Sequence, residues 1–187
     1  MKKIVFLLIS LLLISCTSKQ ESFDVDNYVA PELTKIEEGE YQGYYVNQRF
    51  GFRFLPLSDY EIVGMPSGEG ATMSKRIAGV DYLKEDKEGN RYPYNVEVKV
   101  MAFDNVLEFD DLADFIQARY PGYTIEGYDG ENISGFFVDE GRADDAVRHF
   151  FTMKDDVIYE ASLKLPSYYF VYHKQGFDDF VKTIVFF

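Results

Sequence analysis

Few residues in this chain combine the type and the spacing that chemistry needs. There are two histidines, His149 and His173, and a single cysteine, Cys16. A zinc site would need histidine, cysteine or carboxylate ligands clustered at ligand spacing, and the two histidines stand far apart. His149 lies in Val147-Arg148-His149-Phe150-Phe151 and shares a strand face with Val147 and Phe151, which reads as a partly buried, satisfied ring. His173, beside Lys174, reads as a helix residue that is solvated or supports the helix. Nucleophilic catalysis requires a serine or cysteine activated by a neighbouring base. No Gly-x-Ser-x-Gly elbow occurs, and Ser134, although followed by Gly135, has no glycine two residues before it. Paired carboxylates are plentiful: Asp110-Asp111 fits a helix start, Asp144-Asp145 and Asp155-Asp156 fit turns, and Asp178-Asp179 fits a solvated helix face. A glycosidase would hold two carboxylates in one pocket, an arrangement that spacing along a chain does not show. The oxygen-rich turns Asp86 to Asn90 and Asp129 to Asn132 both depart from the EF-hand pattern, and turn chemistry accounts for them. The residues therefore predict no catalytic set, no cofactor and no metal.

The remaining chemistry belongs to Cys16. Lys2 and Lys3 precede an apolar run from Ile4 to Ile14 broken only by Ser10, and small residues close it, a secretory signal layout. The run is shorter than the roughly twenty residues that a permanent membrane-spanning helix needs. Leu13-Ile14-Ser15-Cys16 resembles the bacterial lipobox, which implies diacylation of the Cys16 thiol and cleavage just before it. A lone cysteine in an exported chain has no partner within the molecule, so capping by lipid removes a reactive liability. Each buried methylene of an acyl chain contributes about 0.8 kcal/mol, and several chains on one residue anchor durably. Thr17-Ser18-Lys19 places no acidic residue directly after the cysteine, which by resemblance to the sorting rule of enteric bacteria favours the outer membrane over the cell membrane.

Charge narrows the partners. The formal charge is −13, and loss of Lys2 and Lys3 with the signal makes it −15. So acidic a body is a poor candidate for nucleic acid, where basic residues must neutralise phosphate. It is also repelled by anionic head groups, which leaves membrane attachment to the lipid. An acidic surface remains open to cations and to basic partners.

Three segments follow from this reading: a signal peptide over residues 1–15, a lipidated N-terminus and acidic tether over 16–40, and one domain over 41–187. The tether is polar and lacks a sustained apolar period. Seventeen Phe and fifteen Tyr, with no Trp, supply aromatic anchors for the core of the domain. That core must be stable without disulfides, which is feasible at a length of about 150 residues.

The elements that must position these residues are legible as alternation and its interruptions. Phe50, Phe52 and Phe54 alternate along Phe50 to Pro56, a half-buried strand. Strands are predicted at Tyr60 to Val63 and Thr72 to Leu83, with Lys84 to Arg91 as a charged hairpin tip. Val96, Val98 and Val100 mark the return strand. The period then becomes helical through Leu112, Phe115 and Ile116, and Pro121-Gly122 ends that helix. Four strands follow at Tyr123 to Tyr128, Ile133 to Asp139, Ala146 to Met153 and Val157 to Leu165, joined by short turns that favour antiparallel pairing over parallel crossovers. A last helix begins after Pro166 with Ser167 as N-cap, and buries Phe177, Phe180, Val181 and Ile184. Thr183 to Phe187 can leave it as a closing strand. Within Tyr168-Tyr169-Phe170-Val171-Tyr172, packing against the sheet is favoured over an exposed contact surface. The fold class is α+β, an antiparallel sheet with a helix on each face.

This layout resembles PsbP/DcrB-type domains. The opening Asn47, Gly51, Phe52, Phe54 and Pro56 carries the likeness, as does the passage Leu163-Lys164-Leu165-Pro166-Ser167-Tyr168 into a helix with Phe177, Phe180 and Ile184. The resemblance implies an α/β/α sandwich and a domain of a group that includes bacterial lipoproteins and mostly lacks catalytic residues. It carries no functional residue across. The expected function is a membrane-anchored, non-catalytic binding or assembly module of the cell envelope, its domain facing the periplasm or exterior and engaging an envelope protein. A solute-binding lipoprotein and a carboxylate-dependent envelope hydrolase are the alternatives.

Overall fold

The computed structural model describes residues 43–77, 83–85, 88–89, 91–141 and 144–187. The signal segment, Cys16 and the tether lie outside the described residues. The domain opens with a hairpin of β1 (Tyr45–Asn47) and β2 (Phe52–Phe54), whose register sets Tyr45 opposite Phe54. Phe52 and Phe54 are fully buried, as their alternation required. Phe54 stacks on Tyr45 and meets Phe180 edge-on, while Phe52 meets Tyr159 edge-on. Burying one such ring contributes on the order of 1.5–3 kcal/mol.

A seven-stranded antiparallel sheet forms the body. Its strands are β3 (Glu61–Gly64), β4 (Gly70–Arg76), β7 (Asn95–Asp104), β8 (Ile125–Asp129), β9 (Ser134–Gly141), β10 (Asp145–Lys154) and β11 (Val157–Pro166). They lie side by side in the order β3-β4-β7-β11-β10-β9-β8. The strand predicted over Thr72 to Leu83 is shorter than expected. β4 ends at Arg76, Ile77 N–H donates to the Tyr94 carbonyl, and β5 (Leu83–Glu85) pairs with β6 (Arg91–Pro93) as a separate hairpin. The β10–β11 turn is two residues long, and Asp155 and Asp156 have φ of 51° and 61°. Positive φ at both central positions is what a type I′ hairpin turn demands, and it suits aspartate better than most side chains.

Helix α1 (Leu112–Arg119) is capped by Asp111, whose Oδ1 accepts from Ala113 N–H at 2.7 Å. Leu112, Phe115 and Ile116 bury against Val138, Phe151 and Ile158 on one face of the sheet. Helix α2 (Phe170–Val181) buries Phe177, Phe180 and Val181 against Phe150, Leu163 and Leu165 on the opposite face. Neighbours Phe150 and Phe151 thus point to opposite sides, and one helix covers each. Ser167 is not the helix cap. It lies inside a 3₁₀ turn (Ser167–Tyr169) that leads into α2, Pro166 occupies the cap position, and no side chain caps that end. Strand β12 (Val185–Phe186) then pairs with β2 and completes a small sheet, β1-β2-β12, over the α2 side. Strands outnumber helices by a wide margin, so the α+β expectation holds with a strong bias to β. Among the described residues no helix is long and apolar enough to cross a membrane.

Candidate functional site

Helix α1 is short and covers only part of its sheet face. Beside it lies an open cleft of about 530 Å³, lined from the sheet by Glu97, Lys99, Glu140, His149, Glu160, Ser162 and Lys164, and from the α1 end by Arg119, Tyr120 and Tyr123. Alternation explains the set. Positions 97 and 99 on β7, 160, 162 and 164 on β11, and 149 on β10 all point away from the α2 core.

His149 is the buried centre of this cleft, 7% exposed. Its Nδ1–H donates to Glu160 Oε1 at 2.8 Å, and the Tyr120 hydroxyl lies 3.4 Å from the same nitrogen. Nε2 is buried and faces Glu140 Oε2 at 3.6 Å, beyond hydrogen-bond length. The ring stacks on Phe151 and sits 4.9 Å from the Tyr120 ring. Glu160, 6% exposed, is approached on its other oxygen by Arg119 Nη2 at 3.9 Å. Burial, and then the charge of Glu160, push the Tyr120 hydroxyl above its ordinary pKa. The sequence reading of His149 as a satisfied strand residue holds for Nδ1. It misses the two glutamates that strand register brings to the ring: Glu160 pairs with Phe151, and Glu140 with Val147. A histidine–carboxylate pair is two of the three members of a nucleophilic triad. Here, however, the far nitrogen looks at a second carboxylate rather than at a hydroxyl, although Ser162 is the cross-strand partner of His149. The arrangement places mixed charge along an open groove.

On the other sheet face, Arg148 is 1% exposed. Its Nε and Nη2 donate to the two oxygens of Asp178 on α2 at 2.7 and 3.3 Å, and Nη1 donates to Asp139 on β9. The guanidinium also lies 4.0 Å over the Phe137 ring. Burial opposes its charge, but the bonds to Asp178 and Asp139 outweigh burial and hold its pKa above the ordinary value. Asp178 was expected on a solvated helix face. It is instead the ion-pair link between α2 and the sheet, and only Asp179 faces solvent, bonded to Lys182. The signal for Arg148 was present in the sequence, because a cation inside the apolar run Ala146 to Phe151 must find partners.

The other marked residues are dispersed. Ser134 Oγ donates to Asp129 Oδ1 at 2.7 Å and closes the turn between β8 and β9. Asp111 caps α1, and Asp155-Asp156 makes the hairpin turn. His173 is half-buried on α2, near the Tyr169 ring. The tyrosine cluster corrects an expectation: Tyr169 and Phe170 pack against the core, whereas Tyr168, Val171 and Tyr172 stand 73%, 72% and 72% exposed. The reason is helix phase, since Phe177, Phe180 and Val181 take the inward side and leave 168, 171 and 172 on the outer one. Among the described residues no group of three or more His, Cys, Asp or Glu side chains is placed to hold a metal ion.

No family model matches this chain, and no curated protein matches it. Among solved structures it is similar to the solution structure of cyanobacterial PsbP (CyanoP) from Synechocystis sp. PCC 6803, with 11% identity over 77% of this chain and 91% of that chain, at a TM-score of 0.46.

Proposed function

We propose that this chain is a membrane-anchored, non-catalytic lipoprotein that acts as a binding or assembly module in the cell envelope. The anchor is lipid on Cys16, in the cell membrane or the outer membrane, and the α/β/α sandwich of residues 41–187 faces the periplasm or exterior. The observation that carries the reading is the outer stripe that runs from the 3₁₀ turn into α2. Tyr168, Val171 and Tyr172 lie at i, i+3 and i+4 and leave most of their surface in water. Tyrosine is enriched where proteins meet, because it combines apolar area with a polar tip. The hydrogen bond of His149 Nδ1 to Glu160, with the ring stacked on Phe151, supports a structural role for that ring.

A crosslinking pull-down from intact envelopes tests the reading. The lipidated chain recovers a specific envelope protein, the Cys16→Ala chain does not, and Tyr172→Ser recovers several-fold less. Equal recovery by all three forms would remove the basis for the proposal. The convergence of Glu140 and Glu160 on His149 favours a second reading, a carboxylate-dependent envelope hydrolase. That reading predicts turnover of an envelope polymer that disappears in Glu160→Gln. A solute-binding role gains less, because the cleft beside His149 is open and charged rather than closed and apolar.

A further inference from the structure

The loop between β7 and α1 bears two of the largest apolar exposures in the domain. Val106 is 82% exposed and its neighbour Leu107 is 73% exposed. Scattered single apolar side chains on a surface are ordinary, but an adjacent pair held out on a fixed loop is a costly arrangement unless it is covered. The loop is fixed. Asn105 Nδ2 donates to the Phe109 carbonyl at 2.8 Å, and Phe109 N–H donates back to Asn105 Oδ1 at 3.1 Å. Asn105 N–H donates to the Asp156 carbonyl at 2.9 Å, which ties the loop to the β10–β11 turn. Glu108 N–H donates to the Asn105 carbonyl, and Glu108 holds φ of 51°. Val106 and Leu107 are therefore presented in one geometry, and a partner would not have to order them.

Around this pair the charge is of one sign. Asp104, Glu108, Asp110, Asp155 and Asp156 line the hollow of about 570 Å³ beside it. Lys154, next to Asp155 in sequence, reaches instead over the Phe186 ring at 5.8 Å. A small cation would gain nothing from the two aliphatic side chains. A second copy of this chain, with a formal charge of −13, would set like charge against like. An anionic membrane would meet the same repulsion. An apolar centre with an acidic rim is instead the complement of a protein surface with an apolar pocket bordered by lysine and arginine.

We infer that the Asn105–Glu108 loop and the Asp155-Asp156 turn form a docking surface for a basic envelope protein, with Val106 and Leu107 as its apolar anchors. This rests on the binding-module reading and adds the chemistry of a partner and a face distinct from the α2 stripe. The test uses the full lipidated chain in nanodiscs of neutral lipid and a fluorescent amphipathic peptide of leucine and lysine, with a leucine–glutamate peptide as its counterpart. Fluorescence anisotropy reads the affinity. The lysine peptide binds, and Val106→Ser/Leu107→Ser weakens it by about tenfold, the scale of a lost apolar anchor. Asp155→Asn/Asp156→Asn, which keeps residues that tolerate positive φ, weakens it several-fold and flattens its salt dependence. Tyr172→Ser leaves it unchanged, and the glutamate peptide does not bind. Thermal unfolding confirms that the serine and asparagine variants remain folded. No binding, or an affinity unmoved by Val106→Ser/Leu107→Ser, overturns the inference, as does an equal loss in Tyr172→Ser. If these arms fail while the envelope pull-down still depends on Tyr172, the docking surface falls and the binding-module reading stands.

Discussion

Replacing Arg148 with methionine removes the guanidinium and keeps much of the apolar stem. Asp178 then loses two bonds, at 2.7 and 3.3 Å, and Asp139 loses one but keeps Lys174 Nζ at 2.9 Å. Breaking a buried ion pair from one side costs about 3–5 kcal/mol, because the remaining charge is stranded. The two carboxylates are 22% and 39% exposed and recover part of their hydration, so the lower end applies, about 3 kcal/mol for Arg148→Met. Replacing the stranded charge as well, in Arg148→Met/Asp178→Leu, gives apolar packing between α2 and β10 and reduces the loss to about 1 kcal/mol. Urea unfolding of the full chain, followed by far-ultraviolet circular dichroism, reads both numbers, and an unchanged m-value shows that the reference state has not moved. The reasoning is refuted if Arg148→Met lies within about 0.5 kcal/mol of the parent, the range of an ordinary surface substitution. It is refuted equally if the double variant is no more stable than the single one.

Other expectations follow from the same packing. Phe52→Ala, at a fully buried ring between Phe54 and Tyr159, costs about 3–5 kcal/mol in the same urea assay. Gly135→Ala sets a methyl against the Phe151 carbonyl and within 2.8 Å of the Phe150 ring, and lowers stability by about 1–3 kcal/mol through overpacking. Burial raises the pKa of Tyr45, Tyr60, Tyr120 and Tyr159 above 10.0. Folded tyrosines that hold their protons longer than unfolded ones make stability fall as pH rises past about 10. A spectrophotometric titration should therefore show a late-ionising fraction of the fifteen tyrosines that merges with the rest when the protein unfolds.

Much of the fold was legible because it is written in local periods. The alternation at Phe52 and Phe54 and at Val96, Val98 and Val100, the helical spacing of Leu112, Phe115 and Ile116, and the turn residues Asp155-Asp156 each act over a few positions. The cleft was not legible. Glu140, His149 and Glu160 come from three strands, and only lateral register sets them around one ring. The same holds for Arg148 and Asp178, thirty positions apart and joined by the angle at which α2 crosses β10. Tyr172 was misjudged for a different reason. Composition makes a tyrosine cluster look like core, and only the phase of α2, set by Phe177 and Phe180, turns it outward.

The small β1-β2-β12 sheet has a consequence in time. β2 finds one neighbour within its own hairpin, but the other is β12, and Leu55 N–H waits for Thr183 Oγ1, 128 residues along the chain. Closing so long a loop is entropically unfavourable and rewards nothing until it is complete, so contacts of this separation slow folding. Phe52 and Phe54 therefore gain their full cover only when the two ends of the domain meet. A chain cut before β12 would leave β2 with one neighbour and the Phe52–Phe54 hairpin open along that edge.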